Sequence, residues 1–228
     1  MSGTTTRSSR AEATREALLD AAERLFAEHG VAAVSARQIS EAAGQGNNTA
    51  VGYHFGSKTD VVRAIVHRHT ASIERLRTER VESIGDSPGL REWVECFIFP
   101  VVDHLGALGD PTWFARFTAQ VLTDPALRPI LEDGDLKSPS LQRIRAGVDE
   151  CLVHLPRAVR QERDQMVREL MVVAPAVREV SLASGLRTAR DSWHDAGAGM
   201  VDAVVGLFLA EVTEPKHRRP EQERQARQ

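Results

Sequence analysis

The sequence predicts an all-α protein in two parts, an N-terminal three-helix helix-turn-helix domain and a C-terminal helical bundle. Apolar residues recur with a 3.6-residue period along most of the chain, and no alternating run is bounded by hairpin turns. Helix-start and helix-stop signals punctuate it at regular intervals. The 228 residues are enough for one large or two small domains with a real core.

In "TREALLDAAERLFAEHG", Leu18, Ala22, Leu25 and Phe26 share a face, and Gly30 stands at the helix C′ position. In "SARQISEAAG", Ser35 and Gln38 form a capping box, Ile39 and Ala43 point inward, and Gly44 closes the helix. The loop and short helix of "GQGNNTAVGYHFGSK" follow. Ser57 and Asp60 then open a long helix through "KTDVVRAIVHRHTASIERLRTERVES". Pro88 and Gly89 break the chain. Helices are expected over 90–108, 111–122, 125–131, 140–155, 156–183 and 190–212. Pro111, Pro125 and Pro156 suit first turns, whereas Pro100 and Pro175 fall inside helical patterns and should kink or split them. The expected organisation is a polar, disordered tail over 1–10, the helix-turn-helix domain over 11–68, the helical-bundle domain over 69–213, and a second tail over 214–228.

A formal net charge of −3 rules out a generally basic nucleic-acid coat, so any DNA contact rests on a local patch. Cys96 and Cys151 form neither a CxxC nor a disulfide framework, which fits a reducing cytoplasm. The apolar run "AGMVDAVVGLFLA" is interrupted by Asp202 and shorter than the ~20 residues that span a bilayer, so no membrane association is expected. No cofactor or metal motif is present. His67 and His69 are two residues apart on a helix, so their rings diverge and read as surface histidines.

The segment 44–58 carries the functional signal. On a helical wheel Val51 and Phe55 face inward, while Thr49, Gly52 and Tyr53 face out and Asn47 and Asn48 stand at the start. Amides, a hydroxyl and a phenol on an exposed short helix are groups that read base edges and hold phosphates. Gly52 costs about 1 kcal/mol against Ala in a helix, which close approach to another backbone would explain. Lys58 opposes the macrodipole at its helix start, a placement that a phosphate would reverse. Arg37 projects from the outer face of the preceding helix. His54, at the edge of the wheel, serves packing or contact. Together these residues make a helix-turn-helix reader.

With "REALLDAAERLFAEHG", "SARQISEAAG" and "YHFGSKTDVVRAI" at these spacings, residues 14–69 resemble the TetR/AcrR family of bacterial transcriptional regulators. The resemblance implies a DNA-binding regulator, in the main a repressor, whose third helix enters the major groove. It also implies a C-terminal domain that dimerises and binds a small molecule that releases DNA. Carried over by position, Arg37, Asn48, Thr49, Tyr53, His54 and Lys58 match places where family members contact DNA. Two departures stand out: the loop "GQGNN" is one residue longer than usual, and Gly52 replaces a common aromatic.

In the second domain, Trp93, Cys96, Phe97, Pro100 and His104 follow one helix, and Trp113, Phe114, Phe117 and Val121 line another. Each is an ordinary core residue taken singly; as a set around a proline they suit a cavity for a partly apolar effector. Met166, Leu170, Val173 and Val177 form one apolar stripe, and Met200, Val204, Val205 and Phe208 another. Both are expected at a two-fold homodimer interface, which a palindromic operator requires. The competing reading is a helical enzyme using Asp103 and His104, or an adaptor with an inert DNA-binding fold. No nucleophile, zinc or nucleotide motif supports the enzyme.

Overall fold

The computed structural model describes residues 3–47 and 49–213 and contains ten helices, with no strand among the described residues. They are α1 (Gly3–His29), α2 (Ala36–Ala42), α3 (Ala50–Phe55), α4 (Lys58–Ser83), α5 (Leu90–Ala107), α6 (Phe114–Thr123), α7 (Arg128–Lys137), α8 (Pro139–Cys151), α9 (Arg157–Ala183) and α10 (Trp193–Leu209).

The caps fall where the sequence puts them. Gly30 takes the left-handed conformation after α1, with φ +81°. Ser35 accepts from the Gln38 amide while Gln38 accepts from the Ser35 amide, and Ser57 accepts from the Asp60 amide. Three expectations change. Helix α1 begins at Gly3, so residues 3–10 are helical rather than a tail; the second tail, 214–228, lies outside the described residues. Pro111 and Pro125 lie in connections ahead of α6 and α7 rather than in their first turns. Pro100 and Pro175 split neither α5 nor α9. Both prolines are buried, and packing on either side outweighs one missing backbone hydrogen bond.

Helices α1–α4 bury Leu18, Phe26, Ile39, Val51, Val61 and Ile65 in one core. That core continues into the second domain through Leu105, Phe114, Phe117 and Val121, with Phe26 and Phe117 stacked at 6.2 Å between centroids. Helix α4 is unbroken across the boundary expected at residue 68. A second core joins α5, α9 and α10 through Ile98, Val102, Val167, Met171, Val201 and Val204. A small third core sets Trp93 and Cys96 against Val81 and Ile144. Glycines permit the tightest approaches: a Cβ at Gly147 would lie 2.0 Å from Trp93, and one at Gly197 would lie 2.6 Å from Val102.

Buried ions tie helices together. Glu179 of α9 accepts from the Thr112 hydroxyl, the Ala115 and Arg116 amides and the Arg116 guanidinium, so it closes the N-terminus of α6. Arg163 of α9 donates to the Phe208 and Ala210 carbonyls at 2.7 and 2.6 Å, so it caps α10. Between the domains, His69 Nε2 lies 2.8 Å from Glu23 Oε2, and His69 Nδ1 lies 2.8 Å from His104 Nε2. Arg68 reaches Glu23 at 2.6 Å and Asp20 at 2.7 Å. The Phe114 ring stacks on His69 with centroids 3.9 Å apart. His69 is thus a buried junction residue, not the surface histidine that its spacing from His67 suggested.

The junction titrates. Burial, then the neighbouring His69, pushes His104 down to about 4, against the pull of Glu23. Burial alone would raise Glu23, but the His69 bond and the Arg68 charge hold it below the ordinary carboxylate value. A depressed histidine means that the unfolded chain binds more protons, so stability is lost as pH falls from the ordinary value of 6.5 toward 4. Replacing His104 with Gln keeps a donor for His69 without the titration. Thermal melts from pH 7 to pH 4.5 should therefore show a shallower loss of Tm in His104→Gln than in the wild type; parallel curves would place the titration elsewhere.

Candidate functional site

The exposed surface of α2 and α3 is built by its turn. Gly44, with φ +68°, reverses the chain after α2, and the Gln45 amide closes on the Ser40 carbonyl at 2.9 Å. The Asn47 side-chain oxygen then accepts from the Thr49 amide at 3.0 Å and the Thr49 hydroxyl at 2.7 Å. Asn47 therefore organises the start of α3; Asn48 lies outside the described residues. Ala50 and Val51 are buried and Phe55 packs on the core, under the Arg15 guanidinium at 5.1 Å from its ring centroid.

The opposite face is open. Thr49 and Gly52 are exposed and Tyr53 is 84 % exposed. Half-buried His54 stands edge-on to the Tyr53 ring at 5.1 Å. A Cβ at Gly52 would meet nothing within 4 Å, so the fold itself gives no reason for a glycine there. Arg37 projects from α2 into solvent and pairs with Glu41 one turn away at 2.7 Å. This bond and the Glu41 charge hold the guanidinium above its ordinary value.

Lys58 departs from its expected role. Its ammonium donates to the carbonyls of Val31, Ala32 and Val34 at 2.8, 3.4 and 3.1 Å. Three carbonyls take its three protons, so it staples the α1–α2 connection to α4 instead of offering a free cation to a phosphate. The sequence cannot show this, because the acceptors are backbone atoms 24 to 27 residues away. Losing the staple should cost about 1 kcal/mol of stability. In a urea titration, Lys58→Ala should lower the unfolding midpoint and Arg37→Ala should leave it in place.

The residues expected around an effector divide among three places. Phe114, Phe117 and Val121 fill the first core, and Trp93 and Cys96 the third. Pro100 is buried within α5. His104 is bonded to His69, and together with half-buried Trp113 it lines a polar cleft at the domain junction with Asp20, Arg68 and Thr112. Only Phe97 of the expected set reaches the apolar cavity enclosed by α5, α8, α9 and α10. Helical periodicity finds apolar faces but not which of them closes completely. Asp103 and His104 do not form a dyad, because Asp103 faces His194 at 3.0 Å while His104 turns to His69.

The two dimer stripes also part company. On α9, Met166, Val173 and Val177 are 44, 51 and 60 % exposed, Val180 continues the line, and Leu170 is half-buried. On α10, Met200, Val204 and Phe208 are buried in the second core and Val205 packs against it, so that stripe is intrachain. The exposed side of α10 carries Ala203, Gly206 and Leu209 instead.

Residues 18–65 match the family model for bacterial regulatory proteins of the tetR family. The HTH-type transcriptional repressor LfrR of Mycolicibacterium smegmatis is 32 % identical over 124 residues, which cover 54 % of this chain and 60 % of that protein's length. A TetR family transcription regulator from Marinobacter aquaeolei superposes with a TM-score of 0.58 at 17 % identity, covering 86 % of this chain and 97 % of its own. AmtR of Mycobacterium smegmatis gives 0.55 at 20 % identity, covering 87 % of each chain. The likeness to the tetR family model thus lies in residues 18–65, and the chain as a whole shares the fold of these two solved structures.

Proposed function

We propose that the chain is a homodimeric transcriptional regulator, a repressor that a small molecule releases from a palindromic operator. One observation carries the reading: α2 and α3 present Arg37, Thr49, Gly52 and Tyr53 on one open face, with a phenol 84 % exposed. A ring that could bury its area within the fold does not, and the neighbouring glycine leaves room for another backbone. The family match over 18–65 supports the same assignment and sets the chain among regulators rather than enzymes.

In this reading residues 11–68 hold the DNA, with Tyr53 and Arg37 on phosphates and Thr49 toward bases. His54 backs the Tyr53 ring, and Lys58 supports the face from beneath. Binding is tested by fluorescence anisotropy on duplexes from upstream of the chain's own gene. Arg37→Ala should weaken specific and non-specific duplexes alike and reduce the slope of log K against log salt by about one. Tyr53→Ala should weaken binding about tenfold with the melting curve unchanged. Wild-type affinity in both variants would remove this face from the interface.

Residues 69–213 would dimerise through α9. Met166, Val173, Val177 and Val180 fall on one side of α9, with half-buried Leu170 between the first two, so they form an apolar line facing solvent. A two-fold axis would set this line against its own copy, beside the small residues Ala203 and Gly206 of α10. Glu at Val173 should give a folded monomer by sedimentation, with operator binding greatly weakened. Glu at Val204 should instead destabilise the fold, because that side chain is fully buried. A Val173→Glu protein that stays dimeric would move the interface off α9.

A further inference from the structure

The cavity between α5, α8, α9 and α10 offers about 90 Å³ to the centre of a water-sized molecule and opens on one side to solvent. Its walls are apolar: Phe97 from α5, Ile144 and Val148 from α8, Val167 from α9, and Val204 and Phe208 from α10. Four charged groups border it. Arg145, Asp149 and Arg168 are exposed; Asp149 pairs with Arg160 at 3.0 Å, and Arg168 donates to Gln165 at 2.9 Å. Asp164 is the one of the four that is drawn into the protein, half-buried on the cavity side of α9.

Asp164 is treated differently from the other carboxylates this fold takes in. Glu179 and Glu23 accept several charge-assisted bonds, and Glu74 accepts from Ser138, Ser140 and Arg77. No group among the described residues donates a hydrogen bond to Asp164. Burial pushes its carboxyl above the ordinary value, against the charges of Arg168, Arg145 and Arg160. A half-buried carboxylate that accepts no hydrogen bond from the protein is open to a donor from a ligand. Arg145 and Arg168, on the cavity border, are exposed and therefore screened, whereas a donor inside the cavity would meet the carboxylate directly.

We propose that this cavity binds an apolar or aromatic molecule bearing a single cationic amine, with the amine on Asp164 and the ring among Phe97, Val148 and Phe208. The site deepens the effector reading given above, but its occupancy can be measured without DNA. Three naphthalenes of nearly one shape serve as probes: 1-naphthylmethylamine, 1-naphthylmethanol and 1-naphthoate. Isothermal titration of the full chain should give the amine about tenfold tighter binding than the alcohol, with the carboxylate weakest. Asp164→Asn should bring amine and alcohol to equal affinity while folding as well as the wild type, since it removes a charge that has no partner. Asp149→Asn, at an exposed group already paired with Arg160, should preserve the preference.

A tightest-binding naphthoate would show that the arginines read the ligand, and would overturn the proposal. A preference for the amine that survives Asp164→Asn, or no amine binding at millimolar concentration, would do the same. An amine that binds through Asp164 without weakening the operator complex would uphold the site and count only against the effector reading.

Discussion

Glu23, Arg68, His69 and His104 bring α1, α4 and α5 to one buried point, and the relation between the two domains depends on it. His69 has its two ring nitrogens committed in opposite directions, to a carboxylate of the first domain and to an imidazole of the second. The proton count is fixed by that arrangement. A proton on His69 Nε2 serves Glu23, which leaves Nδ1 as an acceptor for the Nε2–H of His104. Arg68 balances the Glu23 charge from the other side. Phe114 lies flat on His69 and closes off water, so each of these bonds forms in a medium where losing a partner is expensive. The junction is polar, but it is positioned by apolar packing: Leu105, one residue beyond His104, and Phe114 itself belong to the core that α1 and α4 share.

Helix α9 shows how one amphipathic pattern can serve two surfaces. Val167, Met171 and Ala176 face inward, and Arg163 and Glu179 on the same inner side each cap another helix. Met166, Val173, Val177 and Val180 face out. The exposed outer line of this 27-residue helix is the observation behind the proposed interface. Helix α10 has less surplus: Met200, Val201, Val204 and Phe208 are buried in the core shared with α5 and α9, and Leu209 is left exposed.

That difference marks the limit of what was legible in the sequence. Caps and periodicity placed α2, α4, α9 and the C-terminal end of α1 almost to the residue, because these signals act within one turn. The inner and outer faces of α3 were legible for the same reason: Val51 is buried and Tyr53 is not. What required the third dimension was partner choice. Nothing local distinguishes the stripe of Val173 from that of Val204, and only the position of α5 decides that one is covered and the other open. Likewise Lys58 displays a charge at a helix start, but its acceptors are carbonyls in a connection two helices earlier. His104 looked like a pocket residue because its partner, His69, lies 35 positions away with no pattern joining them.

Helix α5 links the two halves of the argument. Val94 and Phe97 near its start wall the apolar cavity, and His104 near its end holds the junction. Between them Pro100 removes one backbone bond without breaking the helix, so the segment moves as a unit with a single softened turn. A ligand in the proposed site would press on the first part, and close-packed neighbours would leave the second part few places to go. A displacement of His104 by even half an ångström lengthens a 2.8 Å bond buried beside a stacked ring, and His69 must either follow or lose its partner. If it follows, α4 moves with it, and Lys58 at the far end of α4 carries the motion to the connection ahead of α2. The cavity can therefore influence the face bearing Arg37 and Tyr53 without touching it, to the extent that a ligand fits the two positions of α5 unequally.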